Sequence, residues 1–156
     1  MRQIDKYLTE YGTSHQNVTN KFIHWLCVPA IIFSLAGMIF SIPFPFGEKT
    51  MWLNWVTPVF FLALLYYVRL SVPLAIGFLV ISLLVLWGNS ALLNFVGNSM
   101  NLFYSSVLIF VLAWIGQFIG HEIEGKKPSF LKDVQFLLIG PAWLMHFIFK
   151  KLGVPY

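Results

Sequence analysis

Long, almost uncharged apolar runs dominate the chain, and short polar or Pro/Gly-rich breaks separate them. The N-terminal segment differs. Ile4, Tyr7, Leu8 and Tyr11 recur at i, i+3, i+4 and i+7 among polar residues, the spacing of one helical face. This predicts a helix over 2–11 that is too short and polar to span, lies on the membrane surface and ends at Gly12. Four apolar runs follow, at about 22–41, 51–68, 72–88 and 102–120, and each approaches the length of roughly 20 residues that a helical crossing needs. Pro29 lies inside the first run and predicts a kink, because proline removes a backbone donor and clashes one turn back. Pro43, Pro45 and Gly47 make 42–50 a tight connection, Arg69 marks the end of the second run, and Pro73 suits the first turn of the third. Gly88–Asn101, uncharged and holding four asparagines, reads as a loop or a frayed helical extension. The last run, 134–149, is short for a crossing and interrupted at Gly140-Pro141, which predicts a short or re-entrant hairpin. The expected fold is an all-α integral membrane domain covering 1–156: four transmembrane helices, an N-terminal interfacial helix and the C-terminal hairpin. Gly116 and Gly120 form a small-xxx-small pair that would let two helices approach closely.

Composition supports the bilayer. Hydrophobic residues make up 58% and charged residues 10% of the chain, against about 25% charged in an ordinary soluble domain. A globule of this size has too little interior for so much apolar surface, whereas lipid accepts a helix that is apolar all round. The net charge of +4 does not point to nucleic acid, because the basic residues sit at the ends of apolar runs. There they set orientation and meet anionic lipid. With four spans, Arg2, Lys6, Lys21, Arg69, Lys126, Lys127 and Lys132 share one side, which the positive-inside rule makes cytoplasmic. Lys150 and Lys151 join them if the last run turns back. The polar, partly acidic start argues against a cleaved signal peptide. A bacterial inner membrane is expected, or the endoplasmic reticulum in a eukaryote. Cys27 is alone, so no internal disulfide forms.

The same topology sorts the histidines. His15 and His24 flank the start of the first span, His121 ends the fourth, and His146 lies in the returning last segment, so all four can gather at the cytoplasmic boundary. Ionisable groups at membrane depth are costly and usually functional, and neutral imidazole is the commonest metal ligand. Asn17, Asn20 and His24 share a helical face, so the asparagines are placed to orient an imidazole; His121 and Glu124 share another at i, i+3. His15 and His24 are nine residues apart, 2.5 turns, and one straight helix would point them in opposite directions. Joint ligation therefore requires the helix to begin after His15, with Asn17 or Thr19 as cap. No nucleophile elbow, phosphate-binding glycine loop or Cys-x-x-Cys is present.

Two stretches carry a resemblance. Tyr11-Gly-Thr-Ser-His-Gln-Asn-Val-Thr-Asn-Lys-Phe-Ile-His24 with Val28-Pro29, and Gly120-His-Glu-Ile-Glu-Gly-Lys-Lys-Pro128 with Gly140-Pro141 later, resemble the fungal-type 2-hydroxy-fatty-acid dioxygenase family of phytosphingosine breakdown. The resemblance spans nearly the whole chain. It implies an iron(II) cofactor, O2 as co-substrate and shortening of a 2-hydroxy fatty acid by one carbon. By motif it makes His15, His24 and His121 the metal candidates and Glu124 a ligand or catalytic base. His146 is added on topology alone. Lys126, Lys127 or Lys21 would draw the substrate carboxylate to the interface. Two alternatives stand beside this reading, a zinc-dependent lipid hydrolase and a non-catalytic lipid-binding protein. The pattern does not fix the oligomeric state.

Overall fold

A computed structural model describes residues 2–126 and 136–156. Among the described residues six helices follow one another: α1 (Gln3–Gly12), α2 (Val18–Ser41), α3 (Val56–Leu70), α4 (Val72–Val96), α5 (Ser99–Glu124) and α6 (Phe136–Leu152). Three of them, α2, α4 and α5, are long and apolar enough to cross a membrane, with 24, 25 and 26 residues. At 1.5 Å per residue they exceed the roughly 30 Å of hydrocarbon. Their large apolar side chains face outward, including Leu26, Ile76, Leu84 and Leu112, while Ser34, Ser82, Asn89, Ser106 and Gln117 are buried. Lipid tails need no polar cover, so the polar groups turn inward to find partners.

The second predicted span is corrected. Its helix begins only at Val56, because Asn54 turns the preceding chain. The Asn54 amide donates to the Thr50 and Met51 carbonyls and its oxygen accepts from Val56 N at 2.8 Å and Thr57 N at 3.2 Å. The resulting α3 has 15 residues, about 22 Å, shorter than the hydrocarbon core. The stretch 88–101 is mostly helix. Asn89 stays inside α4 by donating to the Val85 and Phe33 carbonyls, and α4 ends at Gly97, whose φ of 85° suits glycine. Asn98 then caps α5 by accepting from Asn101 N at 2.8 Å. Nor does Gly140-Pro141 break the last segment. Pro141 lies early in one continuous α6, and in the same turn the Tyr67 hydroxyl donates to the Leu138 carbonyl.

The α2–α5 pair forms the spine, and glycine lets it close. A Cβ on Gly116 would sit 2.7 Å from Cys27 Sγ, and one on Gly120 would sit 2.5 Å from Asn20 Oδ1, so the small-xxx-small pair faces α2 as its spacing suggests. Around this spine lie two apolar clusters. One joins Ile4, Leu8 and Tyr11 of α1 to Tyr67, Leu74 and Phe78 and to Ile139, Ala142 and Trp143 of α6. The α1 stripe expected to face lipid is therefore covered by protein. The other joins Phe40, Val56, Val85 and Leu102 towards the opposite end, where Lys49 donates to the Ser41 carbonyl and Ser99 Oγ.

Candidate metal centre

The break between α1 and α2 creates the site. Gly12 ends α1, a short turn carries Ser14 and His15, and Asn17 starts α2 by accepting from Thr19 N at 2.8 Å and Asn20 N at 3.4 Å. His15 thus folds back from a turn, while His24 enters from the second turn of α2 and His121 from the last turn of α5. The ring centroids are 4.0 Å apart for His15–His24, 4.9 Å for His15–His121 and 5.3 Å for His24–His121. Each ring offers one nitrogen, and these three nitrogens lie within 4.8 Å of one another. All three residues are at most 4% exposed.

Hydrogen bonds set the tautomers. His15 Nδ1 lies 2.6 Å from the Tyr11 carbonyl. A carbonyl only accepts, so Nδ1 carries the proton and the Nε2 lone pair stays open. Burial pushes the His15 pKa down to about 4, with its neighbours His121 and Lys21 adding to the shift, so the ring is neutral at pH 7. His24 Nε2 meets the Tyr11 hydroxyl at 3.0 Å. His15 Nε2, His24 Nδ1 and His121 Nδ1 are buried without a hydrogen-bond partner. Leaving three buried imidazole nitrogens unmatched is costly, and a cation answers all three together. The donor set, three neutral imidazoles with the second nitrogen of His15 tied to a carbonyl, fits a transition metal.

Glu124 takes a different place from the expected one. Its Oε1 accepts from Gln16 N at 2.8 Å, and its Oε2 accepts from Asn17 N at 2.8 Å and Asn20 Nδ2 at 3.0 Å. Those three donors use the carboxylate to clamp the His15 turn against the end of α5, and Glu124 is absent from the ligand group. Asn20 also donates to the Ser14 carbonyl at 3.2 Å. The asparagines therefore shape the turn instead of orienting an imidazole. Lys126 joins the clamp, donating to the Thr13 carbonyl at 2.5 Å, so its ammonium is engaged by backbone; Lys127 lies outside the described residues. His146 stays out of the group. Trp143 takes the α6 position that faces the cluster, 5.1 Å from His15, and His146, three residues on, pairs its Nδ1 with the Tyr156 hydroxyl.

Two contributors have no signal as ligands in the sequence. Tyr11 stacks on His15 at 4.4 Å and bonds to both His15 and His24, yet in the sequence it reads as part of an apolar stripe. The hints are its position four residues before His15 and its place at the head of the stretch that carries the family resemblance. Trp143 closes the remaining side, and nothing in the local pattern separates it from other apolar residues of α6.

Fold and site together define an all-helical membrane protein with a buried three-histidine centre at one end of its bundle. Comparison with known proteins gives the family. The family model described as 2-hydroxy-palmitic acid dioxygenase Mpo1-like matches residues 1–152. The chain is also 30% identical over 146 residues to the 2-hydroxy-palmitic acid dioxygenase MPO1 of Saccharomyces cerevisiae, covering 92% of this chain and 78% of the yeast protein. The chain belongs to the Mpo1-like family. No solved structure matches it.

Proposed function

We propose that His15, His24 and His121 hold an iron(II) ion and that the protein oxidises 2-hydroxy fatty acids with O2 to the acid one carbon shorter. The observation that carries this reading is the set of three buried, unpartnered imidazole nitrogens; the family and the substrate named for its yeast relative supply the reaction class. The overall change, R–CHOH–COOH + O2 → R–COOH + CO2 + H2O, balances. The acid loses four electrons and O2 accepts four, so no external reductant is needed. Iron(II) would supply the one-electron chemistry with O2 that closed-shell organic acids lack.

The protein's own residues prepare the centre. The Tyr11 carbonyl fixes the His15 tautomer, and the Tyr11 hydroxyl holds His24. Glu124 and Lys126 pin the turn that delivers His15. Trp143 packs against His15 and His24 and keeps bulk water from that side, where unplanned hydrolysis or proton leakage would compete. Arg2, Lys6, Lys21 and Lys126 cluster towards the same end, which supports a cytoplasmic active face under the positive-inside rule, in a bacterial inner membrane or, in a eukaryote, the endoplasmic reticulum.

The test is metal analysis of protein purified in detergent without chelator, for wild type, His24→Ala and His121→Ala, followed by O2 uptake with 2-hydroxypalmitate. Near-stoichiometric iron lost in both variants, with oxygen consumed only by wild type, is the expected result. Zinc that cannot be replaced by iron would favour the hydrolase, and no metal after anaerobic iron loading would leave a lipid-binding protein.

A further inference from the structure

Gln117 takes no part in the clamp or the ligand set. It lies inside a membrane-crossing helix at 3% exposure, and among the described residues its Nε2 donates to nothing. Water does not reach such an amide, so an acceptor has to come from elsewhere.

Its level in the bundle follows from the glycines. A Cβ on Gly120 would meet Asn20 and Ile23, and one on Gly116 would meet Cys27 and Ile23. Here α5 climbs as α2 descends, and Gln117 stands level with the turn of α2 that holds His24 and Cys27. On α5 itself, Ala113, Gln117 and His121 form one buried stripe at four-residue spacing, so Gln117 lies one turn below His121 on the same face. That is the membrane side of the three-histidine centre, from which an acyl chain arrives.

Several polar groups around the centre are already engaged. His15 Nδ1 serves the Tyr11 carbonyl, His24 Nε2 pairs with the Tyr11 hydroxyl, and Lys126 is held by Thr13. A 2-hydroxy acid brings a hydroxyl and a carboxylate, and a carboxylate only accepts hydrogen bonds. If the hydroxyl and one carboxylate oxygen turn to the ion, the second carboxylate oxygen is buried and requires a donor. We propose that Gln117 Nε2 donates to the carboxylate of the 2-hydroxy acid and orients its C1–C2 bond at the three imidazoles. This rests on reading the centre as a 2-hydroxy-acid site, and it makes Gln117 the residue that distinguishes the acid from analogues without a carboxylate.

The experiment is equilibrium titration of full-length protein in detergent, loaded with iron(II) under anaerobic conditions. The two probes are 2-hydroxypalmitate and 1,2-hexadecanediol, which keeps adjacent oxygens but has no carboxylate. Wild type is expected to prefer the acid. Gln117→Leu should weaken acid binding roughly 10- to 100-fold, the range for a hydrogen bond to a charged group, leaving diol affinity and iron content unchanged. Gln117→Glu should weaken the acid further by like-charge repulsion. Unchanged acid binding in Gln117→Leu, or equal loss for both probes, overturns the proposal while leaving the reading of the centre standing. Should Gln117→Leu fail to fold, Gln117→Met, closer in shape, takes its place, and failure of both to fold or hold iron marks a structural role and overturns it as well. Iron-loaded wild type that binds neither probe overturns the 2-hydroxy-acid reading, and the proposal with it.

Discussion

Two polar regions are buried in this bundle, and they are built on opposite plans. In the middle of the bundle, Ser34, Ser82 and Asn89 donate to carbonyls three or four residues back on their own helices. At the other region, Glu124 reaches Gln16 and Asn17, more than a hundred residues away in sequence, and Tyr11 links to α2. The first region satisfies its donors mostly at home, with Asn89 also reaching the Phe33 carbonyl on a neighbouring helix, and it serves packing. The second uses long-range bonds to hold three imidazoles, each with a buried ring nitrogen that has no hydrogen-bond partner. Burial of polar groups in a membrane does not by itself mark a site; unfilled valence held in place by distant elements does.

Breaking the site should have the largest effect. His15→Ala removes the one ligand that comes from a turn, and near-complete loss of bound iron by elemental analysis is expected. Retention of full iron would show that the turn is not part of the centre. Next comes the clamp. Glu124→Ala should leave the spans assembled but weaken iron roughly 10- to 100-fold, as loss of groups behind a ligand commonly does. A metal-competition titration reads this, and an unchanged affinity would remove Glu124 from the account. The middle region should respond in stability only. A Cβ at Gly37 meets Ser106 and Asn89, so Gly37→Ala should cost about 1–3 kcal/mol in reversible unfolding from detergent, with iron stoichiometry intact. Iron loss there would erase the distinction between the regions. Smallest is Ser106→Ala: its buried hydroxyl has no hydrogen-bond partner among the described residues, so the change should be neutral or stabilising, by no more than about 1 kcal/mol.

The sequence made some of this legible for physical reasons. The nine-position offset of His15 and His24 allows them to share a site only if the helix begins after His15, and Asn17, one of the two caps expected, starts α2 there. Gly116 and Gly120 pointed to a close helix pair, and α2 is the partner. Other features depend on which way a side chain turns, which spacing along one helix does not reveal. His146 reaches the right end of the molecule but the position facing the centre belongs to Trp143. Glu124 sits three residues after His121 and looked like a ligand or base; only the folded turn shows its oxygens taken by Gln16, Asn17 and Asn20. The asparagine-rich stretch from 88 leaves loop and frayed helical extension open, because helix propensity cannot foresee that Asn89 finds the Phe33 carbonyl on a neighbouring helix.

The separation of the ligands along the chain has a consequence for how the protein is made. His24 and His121 lie 97 residues apart. At synthesis rates of about 5–20 residues per second, α2 waits roughly 5–20 s before its partner α5 emerges. During that interval no three-histidine pocket exists for a metal to enter, and Glu124 is not yet there to fold the turn. On the iron reading proposed above, a redox-active ion would be admitted only once the bundle is nearly complete, and a half-made chain would offer oxygen no metal to react with.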